Sequence, residues 1–144
     1  MDRRAYVEKI LAYGELLESN DFNEAAVQAV FTEDGEAVLP HVGSAKGIRE
    51  LAEKHTAMMS SFTGATHNIT NVVLKELEGG AVEARWHMEV IHQFLPPIAE
   101  HTPGDLFICN DRVTAVLRKT EAGPKIERVA MDTVYKRFAV SARD

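Results

Sequence analysis

Apolar residues recur every three or four positions in the first part of the chain, up to about Phe62, and every second position from His67 onward. The first period is that of helices with one buried stripe, the second that of strands with one buried face. Over Arg3 to Ser19, Tyr6, Ile10, Tyr13 and Leu17 fall on one face with Leu11 beside them, which predicts a first helix. Ser19-Asn20-Asp21 breaks it. Asp21 with Glu24 three residues on reads as a capping box for a second helix from about Phe22 to Thr32, burying Ala26, Val27, Val30 and Phe31. DGEAVLPHVG predicts a turn, a short strand and a loop. Ser44 to Phe62 predicts a third helix, with Ile48, Leu51, His55, Met58 and Met59 at helical spacing.

HNITNVVLKEL then predicts a strand from His67 and Gly79-Gly80 a hairpin turn. From Ala81 to Phe94 the alternation is strict. Val82, Ala84, Trp86, Met88, Val90, His92 and Phe94 take one face; Glu83, Arg85, His87, Glu89, Ile91 and Gln93 take the other. Pro96-Pro97 ends that strand, since proline cannot serve a central ladder. Glu100 to Gly104 predicts a loop. A strand from Leu106 follows, broken near Asn110-Asp111 and resuming from Val113 to Lys119; EAGPK turns the chain into a last strand from Ile126 to Phe138. Three helices followed by long antiparallel strands define an α+β layout. A sheet of this kind buries one face on the helices and, curling around them, leaves a cone with a pocket at its open end. Residues 1–144 are expected to be one domain.

Composition narrows the partners. The formal charge is −6, so there is no electrostatic reason to bind nucleic acid or an anionic membrane. The single Cys109 leaves no intrachain disulfide and no cysteine-based zinc site. The N-terminus lacks the apolar stretch of a signal peptide, and no apolar run reaches membrane-spanning length. A reducing cytoplasm is the expected setting.

The chemistry centres on two histidines. His92 is the ionisable group on the apolar face of its strand; His67 shares a face with Ile69, Asn71 and Val73 if its own strand is regular. Two imidazoles on the inner faces of neighbouring strands fill a core poorly, because burial requires partners for both ring nitrogens. Histidine is, however, the natural acid or base near neutral pH. Tyr13 on the first helix has a hydroxyl that needs a partner if buried, and Glu18 lies at the flank of the same helix. Asp132 stands in the last strand, where Ile126, Ala130 and Val134 share its side and Met131 and Tyr135 the other; alternation does not decide which side is inward. His87 and His92 are on opposite faces and cannot chelate one metal. Gly43 and Gly47 form no phosphate loop, and no serine sits in a nucleophile elbow. His41, His55 and His101 read as loop or helix-flank residues and Cys109 as an apolar filler. Neither a metal nor a cofactor is implied.

Three segments carry a family likeness: LLESNDFNEAAVQAVFTEDGEAVLP, SAKGIREL and THNITNVVLKELEGGAVEARWHMEVIHQF. In order, they resemble the SnoaL-like branch of the nuclear-transport-factor-2-like superfamily, over nearly the whole chain. The resemblance implies a cystatin-like fold, a curved antiparallel or mixed sheet wrapped around three N-terminal helices. The fold hosts many chemistries. Within the superfamily the chain looks most like scytalone dehydratase, whose two histidines would fall at His67 and His92. Glu18 stands where that enzyme and the lindane dehydrochlorinase-like members carry an aspartate paired with the first histidine. Leu17 and Leu39 stand where the dehydratase has tyrosines, and Tyr13 would offer a hydroxyl one turn earlier. In ketosteroid isomerases the base aspartate would fall near Leu39, which counts against steroid isomerisation.

The resulting expectation is a cofactor-independent lyase, of dehydratase type, acting on a small apolar cyclic or polyketide-like molecule. His67, oriented and made more basic by Glu18, would abstract a proton next to a carbonyl. His92, with Tyr13, would polarise the carbonyl or protonate the departing hydroxyl, and Asp132 is a secondary candidate. Trp86, Met88, Val90, Phe94, Leu17 and Asn71 would line the substrate. Rates would follow a bell between about pH 5 and 8. The alternatives are an isomerase or cyclase using the same proton abstraction, and a non-catalytic ligand-binding or structural subunit like the small subunits of ring-hydroxylating dioxygenases. A homodimer or homotrimer through the outer sheet face is expected, with Ile91 among the outward residues.

Overall fold

The computed structural model describes residues 1–142. Helix α1 spans Arg3–Ser19 and buries Tyr6, Ile10, Tyr13, Leu16 and Leu17. Asp2 caps its start by accepting from the Ala5 amide, and Asn20 ends it in the left-handed region at φ 52°. Helix α2 is short, Glu24–Val30, and its N-cap is Asn23, whose side chain accepts from the Ala26 amide at 2.8 Å. The capping box expected at Asp21 does not form; the asparagine two residues later is the cap. Strand β1 then runs Phe31–Leu39.

The predicted third helix is shorter than its apolar spacing implied. Gly43–Lys46 is strand β2, paired antiparallel with β1, and helix α3 begins only at Ile48 and ends at Met59. Gly47, at φ 85°, separates the two; a side chain there would be strained. Its amide donates to the Gly35 carbonyl at 2.8 Å, tying the start of α3 to β1.

Four long strands complete the sheet: β3 Phe62–Glu76, β4 Val82–Phe94, β5 Leu106–Thr120 and β6 Gly123–Ala139. A short helix α4, Pro96–Ala99, follows β4. The order is β2-β1-β6-β5-β4-β3, antiparallel throughout except for the parallel pair β1 and β6. This is the expected α+β arrangement, a curled six-stranded mixed sheet that stays open, with α1 against β3 and β6 and α3 against β1 and β2.

Bulges in β3 and β6 decide which residues face inward, because each extra residue exchanges the two faces of a strand. In β3 the pairing shifts between Thr70 and Val73, and Asn71 occupies the bulge at φ 57°. Val73 is consequently 49% exposed, not buried with Ile69. In β6 Glu127 and Val134 are the extra residues, opposite Val116–Leu117 and Asn110–Asp111. Ile126, Val129 and Met131 are therefore buried, while Asp132 is exposed. The break anticipated near Asn110-Asp111 is the second of these irregularities, and β5 itself runs on through it.

Candidate active site

Strand pairing sets the inner face of the sheet in rows. Ala65, His92, Phe107 and Phe138 form one; His67, Val90, Cys109 and Lys136 the next; Ile69, Met88, Asp111 and Thr133 the third. Trp86, Val113 and Met131 lie one row deeper. Helix α1 crosses this surface along β3: Arg3 donates to the Val72 carbonyl, and a Cβ on Gly14 would come within 2.9 Å of Ile69 Cδ1. The close approach at Gly14 seats the helix on β3 and brings its last turn level with His67.

The uncovered rows line a cavity of about 360 Å³, within the range of small-molecule sites. Its wall is mainly apolar, with Leu17, Met58, Met59, Phe62, Met88, Val90, Phe94, Phe107, Met131 and Phe138. The polar groups on it include His41, His67, His92, Cys109, Asp111, Thr133 and Lys136. Leu17, Met88, Val90 and Phe94 thus stand where the sequence reading placed them. Trp86 does not. It is 1% exposed and off the cavity wall, a core residue in the row beneath. Asn71 is also off the wall, an exposed bulge residue rather than a ligand contact.

His67 and His92 lie on the wall with ring centroids 6.3 Å apart and planes at 78°. The Nδ1 atom of His92 is 3.0 Å from the Phe107 carbonyl. A carbonyl only accepts, so Nδ1 carries the proton and Nε2 of the neutral ring is a lone pair. Phe62 stacks on this imidazole at 4.3 Å. Glu18 reaches His67, but through the backbone first: its Oε1 accepts from the His67 amide at 2.6 Å. The same oxygen is 3.8 Å from His67 Nδ1, too far for a hydrogen bond, and that buried nitrogen has no hydrogen-bond partner among the described residues. Burial, and then the neighbouring His92, lower the His67 pKa from 6.5 to about 4. Burial also lowers that of His92, against the opposing pull of the Phe107 carbonyl. Both rings are neutral at physiological pH, so the expectation of near-reference histidines is corrected.

Tyr13 is off the wall. Its hydroxyl lies 2.7 Å from His55 Nε2, and His55 Nδ1 lies 2.6 Å from the Leu51 carbonyl. His55 Nδ1 therefore donates to Leu51, and Tyr13 donates to Nε2. Tyr13 is 1% and His55 0% exposed, and the Phe22 and Phe31 rings lie 5.4 and 5.7 Å from the imidazole. Burial raises the Tyr13 pKa and lowers that of His55 to about 4. His55 is therefore an inward core residue and not a helix-flank one, as the apolar neighbours at its own helical spacing signal. His41 is the expected loop residue, and from the loop after β1 it reaches the cavity.

The carboxylate on the wall is Asp111, not the exposed Asp132. Asp111 is 5% exposed, and its Oδ1 accepts from the Thr133 hydroxyl at 2.8 Å. Burial raises its pKa, while hydrogen bonds from Thr133 and the Cys109 thiol oppose the rise. Cys109 is pushed up to about 12, chiefly by burial, so its thiol is a poor nucleophile. A hint of Asp111 was present in the sequence: from Phe107 through Cys109, Asp111 and Val113 one alternating face stays inward, with a single charged residue on it. No group of three or more metal-ligating side chains converges among the described residues. Nor is any described helix long and apolar enough to cross a membrane.

Residues 1–130 match the model of the SnoaL-like domain family. No curated protein matches in sequence. Among solved structures, a Kribbella flavida protein superposes with a TM-score of 0.82 at 16% identity, over 94% of this chain and 93% of that one. A putative scytalone dehydratase from Novosphingobium aromaticivorans gives 0.78 at 18% identity, over 97% and 88%. A hexachlorocyclohexane dehydrochlorinase, LinA-type3, from Novosphingobium barchaimii gives 0.77 at 12% identity, over 94% and 88%. At these identities the likeness is one of fold.

Proposed function

The chain belongs to the SnoaL-like domain family, and from that premise we propose that it is a cofactor-independent lyase that eliminates water from a small, largely apolar cyclic or polyketide-like substrate. The observation that carries this reading is the pair of neutral imidazoles, 6.3 Å apart, on the wall of an apolar cavity. His67 Nε2 removes the proton from the carbon next to a carbonyl. The imidazolium so formed is stabilised by the Glu18 carboxylate, 3.8 Å from its Nδ1. It then returns the proton to the departing hydroxyl, releasing water and a conjugated alkene. His92, whose Nδ1 is held by Phe107, offers Nε2 only as an acceptor; it orients a substrate hydroxyl rather than acting as the acid. Tyr13, committed to His55, takes no part. An apolar enclosure strengthens each hydrogen bond to the developing enolate. The fold neighbours named as a putative dehydratase and a dehydrochlorinase support elimination over other fates of that enolate.

The same reading extends to a cytoplasmic homodimer or homotrimer assembled through the outer sheet face, where Val38, Val134 and Tyr135 are exposed; sedimentation velocity tests it. The chemistry is tested by incubating cyclic β-hydroxy ketones in D2O and following α-deuteration and enone formation by NMR. Wild type should show both. His67→Ala should lower both by roughly 10²- to 10⁴-fold, the range of a lost general base. Unchanged exchange in His67→Ala would exclude the assignment. Exchange without enone formation would favour isomerisation or cyclisation, which share the abstraction step.

A further inference from the structure

Asp111 plays no part in the proton transfers assigned above, yet it is the buried carboxylate of the same cavity. It makes no ion pair among the described residues. What holds it are donors: the Thr133 hydroxyl at 2.8 Å on Oδ1, and the Cys109 thiol. A carboxylate has room for about four hydrogen bonds, so acceptor capacity remains on a group that is 5% exposed and on the cavity wall. Burying such a group without enough donors is costly. A ligand that supplied one would relieve that cost.

The rows of the sheet set where such a ligand lies. Asp111 is two strands across and one row deeper than His67, and on the strand next to His92 but two rows deeper. With strands about 4.8 Å apart and a rise of about 3.4 Å per residue, the backbone separations are about 12 and 14 Å. Met88, Val90 and Cys109 fill the interval with apolar surface. A molecule polar at both ends and flat and apolar between them fits this span. Lys136, on the row above Asp111 and on the same wall, disfavours a cationic end group. The carboxylate itself disfavours an anionic one. The donor is therefore a neutral group, of which a hydroxyl is the simplest.

We propose that Asp111, aimed by Thr133, is a specificity-determining anchor that selects substrates carrying a hydroxyl on the ring remote from the reacting carbon. The anchor rests on the lyase reading for the identity of the reacting end, but its test does not. The probes are 4-phenylphenol and its methyl ether, 4-methoxybiphenyl, titrated calorimetrically into the full chain. Wild type should bind the phenol about 10- to 100-fold more tightly, the worth of a hydrogen bond to a buried charge. In Asp111→Leu the preference should fall to within about threefold, with Asp111→Asn between the two. In His92→Phe it should persist, because the hydroxyl held by Asp111 is the one remote from the reacting carbon and not the one that His92 orients.

Equal affinity for phenol and ether in wild type, or binding of neither, overturns the proposal without any variant. A preference that survives Asp111→Leu and disappears in His92→Phe overturns it in favour of the histidine end. If Asp111→Leu does not fold, the wild-type ratio and Asp111→Asn still decide. Loss of the lyase reading would appear instead as deuterium exchange indifferent to His67, whatever these ratios are.

Discussion

Lowering the pH towards 5 should destabilise this protein strongly, and two buried imidazoles set the size of the effect. His55 and His67 are each lowered by burial from 6.5 to about 4. Both are neutral in the folded state, while in the unfolded chain they take up a proton near their ordinary value. The unfolded state therefore binds more protons below pH 6.5, so stability is full above that pH and is lost as the pH falls towards 4. Each group held 2.5 units low contributes about 2 kcal/mol of that loss by pH 5, and about 3 kcal/mol in all below pH 4. The two together remove about 4 kcal/mol between pH 7.5 and 5, a large part of the ordinary stability of a domain. His92 is lowered too and adds in the same direction. Asp111, raised by burial, works the opposite way. The assay is urea unfolding followed by circular dichroism at pH 7.5 and pH 5.0. With a slope of about 2 kcal/mol/M the midpoint should fall by about 2 M. A double variant, Tyr13→Phe with His55→Leu, removes one of the two groups and should halve the pH-dependent loss. A midpoint that is flat between the two pH values would refute the burial argument. A full loss retained in the double variant would show that His55 is not one of the sources.

The Tyr13–His55 hydrogen bond makes a second prediction. Tyr13→Phe leaves His55 Nε2 buried without its donor and should cost about 1–3 kcal/mol, lowering the melting temperature by roughly 3–10 °C. Adding His55→Leu should recover part of it, because both polar partners are then gone. Asn71 in its bulge, at φ 57°, should accept glycine with almost no change in stability. Asn71→Val should cost about 1–2 kcal/mol from left-handed strain, and neither variant should alter binding of the phenol probe; both are read by thermal melts and calorimetry.

Much of the site was legible because one strand is regular. β4 pairs with β5 from Val82 to Gln93 without a register shift, so alternation along it correctly put Met88, Val90 and His92 on one inner face. His67 was legible because the central bulge of β3 comes after it, beyond Thr70. Asn71 was misplaced because it is that bulge. The facing of Asp132 was out of reach for the same reason, since Glu127 and Val134 each exchange the faces of β6, and nothing local in the sequence marks them.

The sequence by itself determined the order and type of most elements, strand β2 at Gly43–Lys46 excepted, together with the helical stripes and the two histidines on neighbouring strands. These depend on local periodicity, which repeats along the chain and can be read from it. Tertiary structure decided which inward residues meet open space and which meet a helix. α1 runs along β3 and ends level with His67; Trp86 is closed off as core, and the rows above it line the cavity. Because α3 turns His55 towards α1, the Tyr13 hydroxyl is satisfied inside the protein and not offered to a ligand. Hydrogen-bond partners and solvent exclusion are properties of surfaces brought together across the fold, and burial of this kind is what lowers the pKa of both cavity histidines.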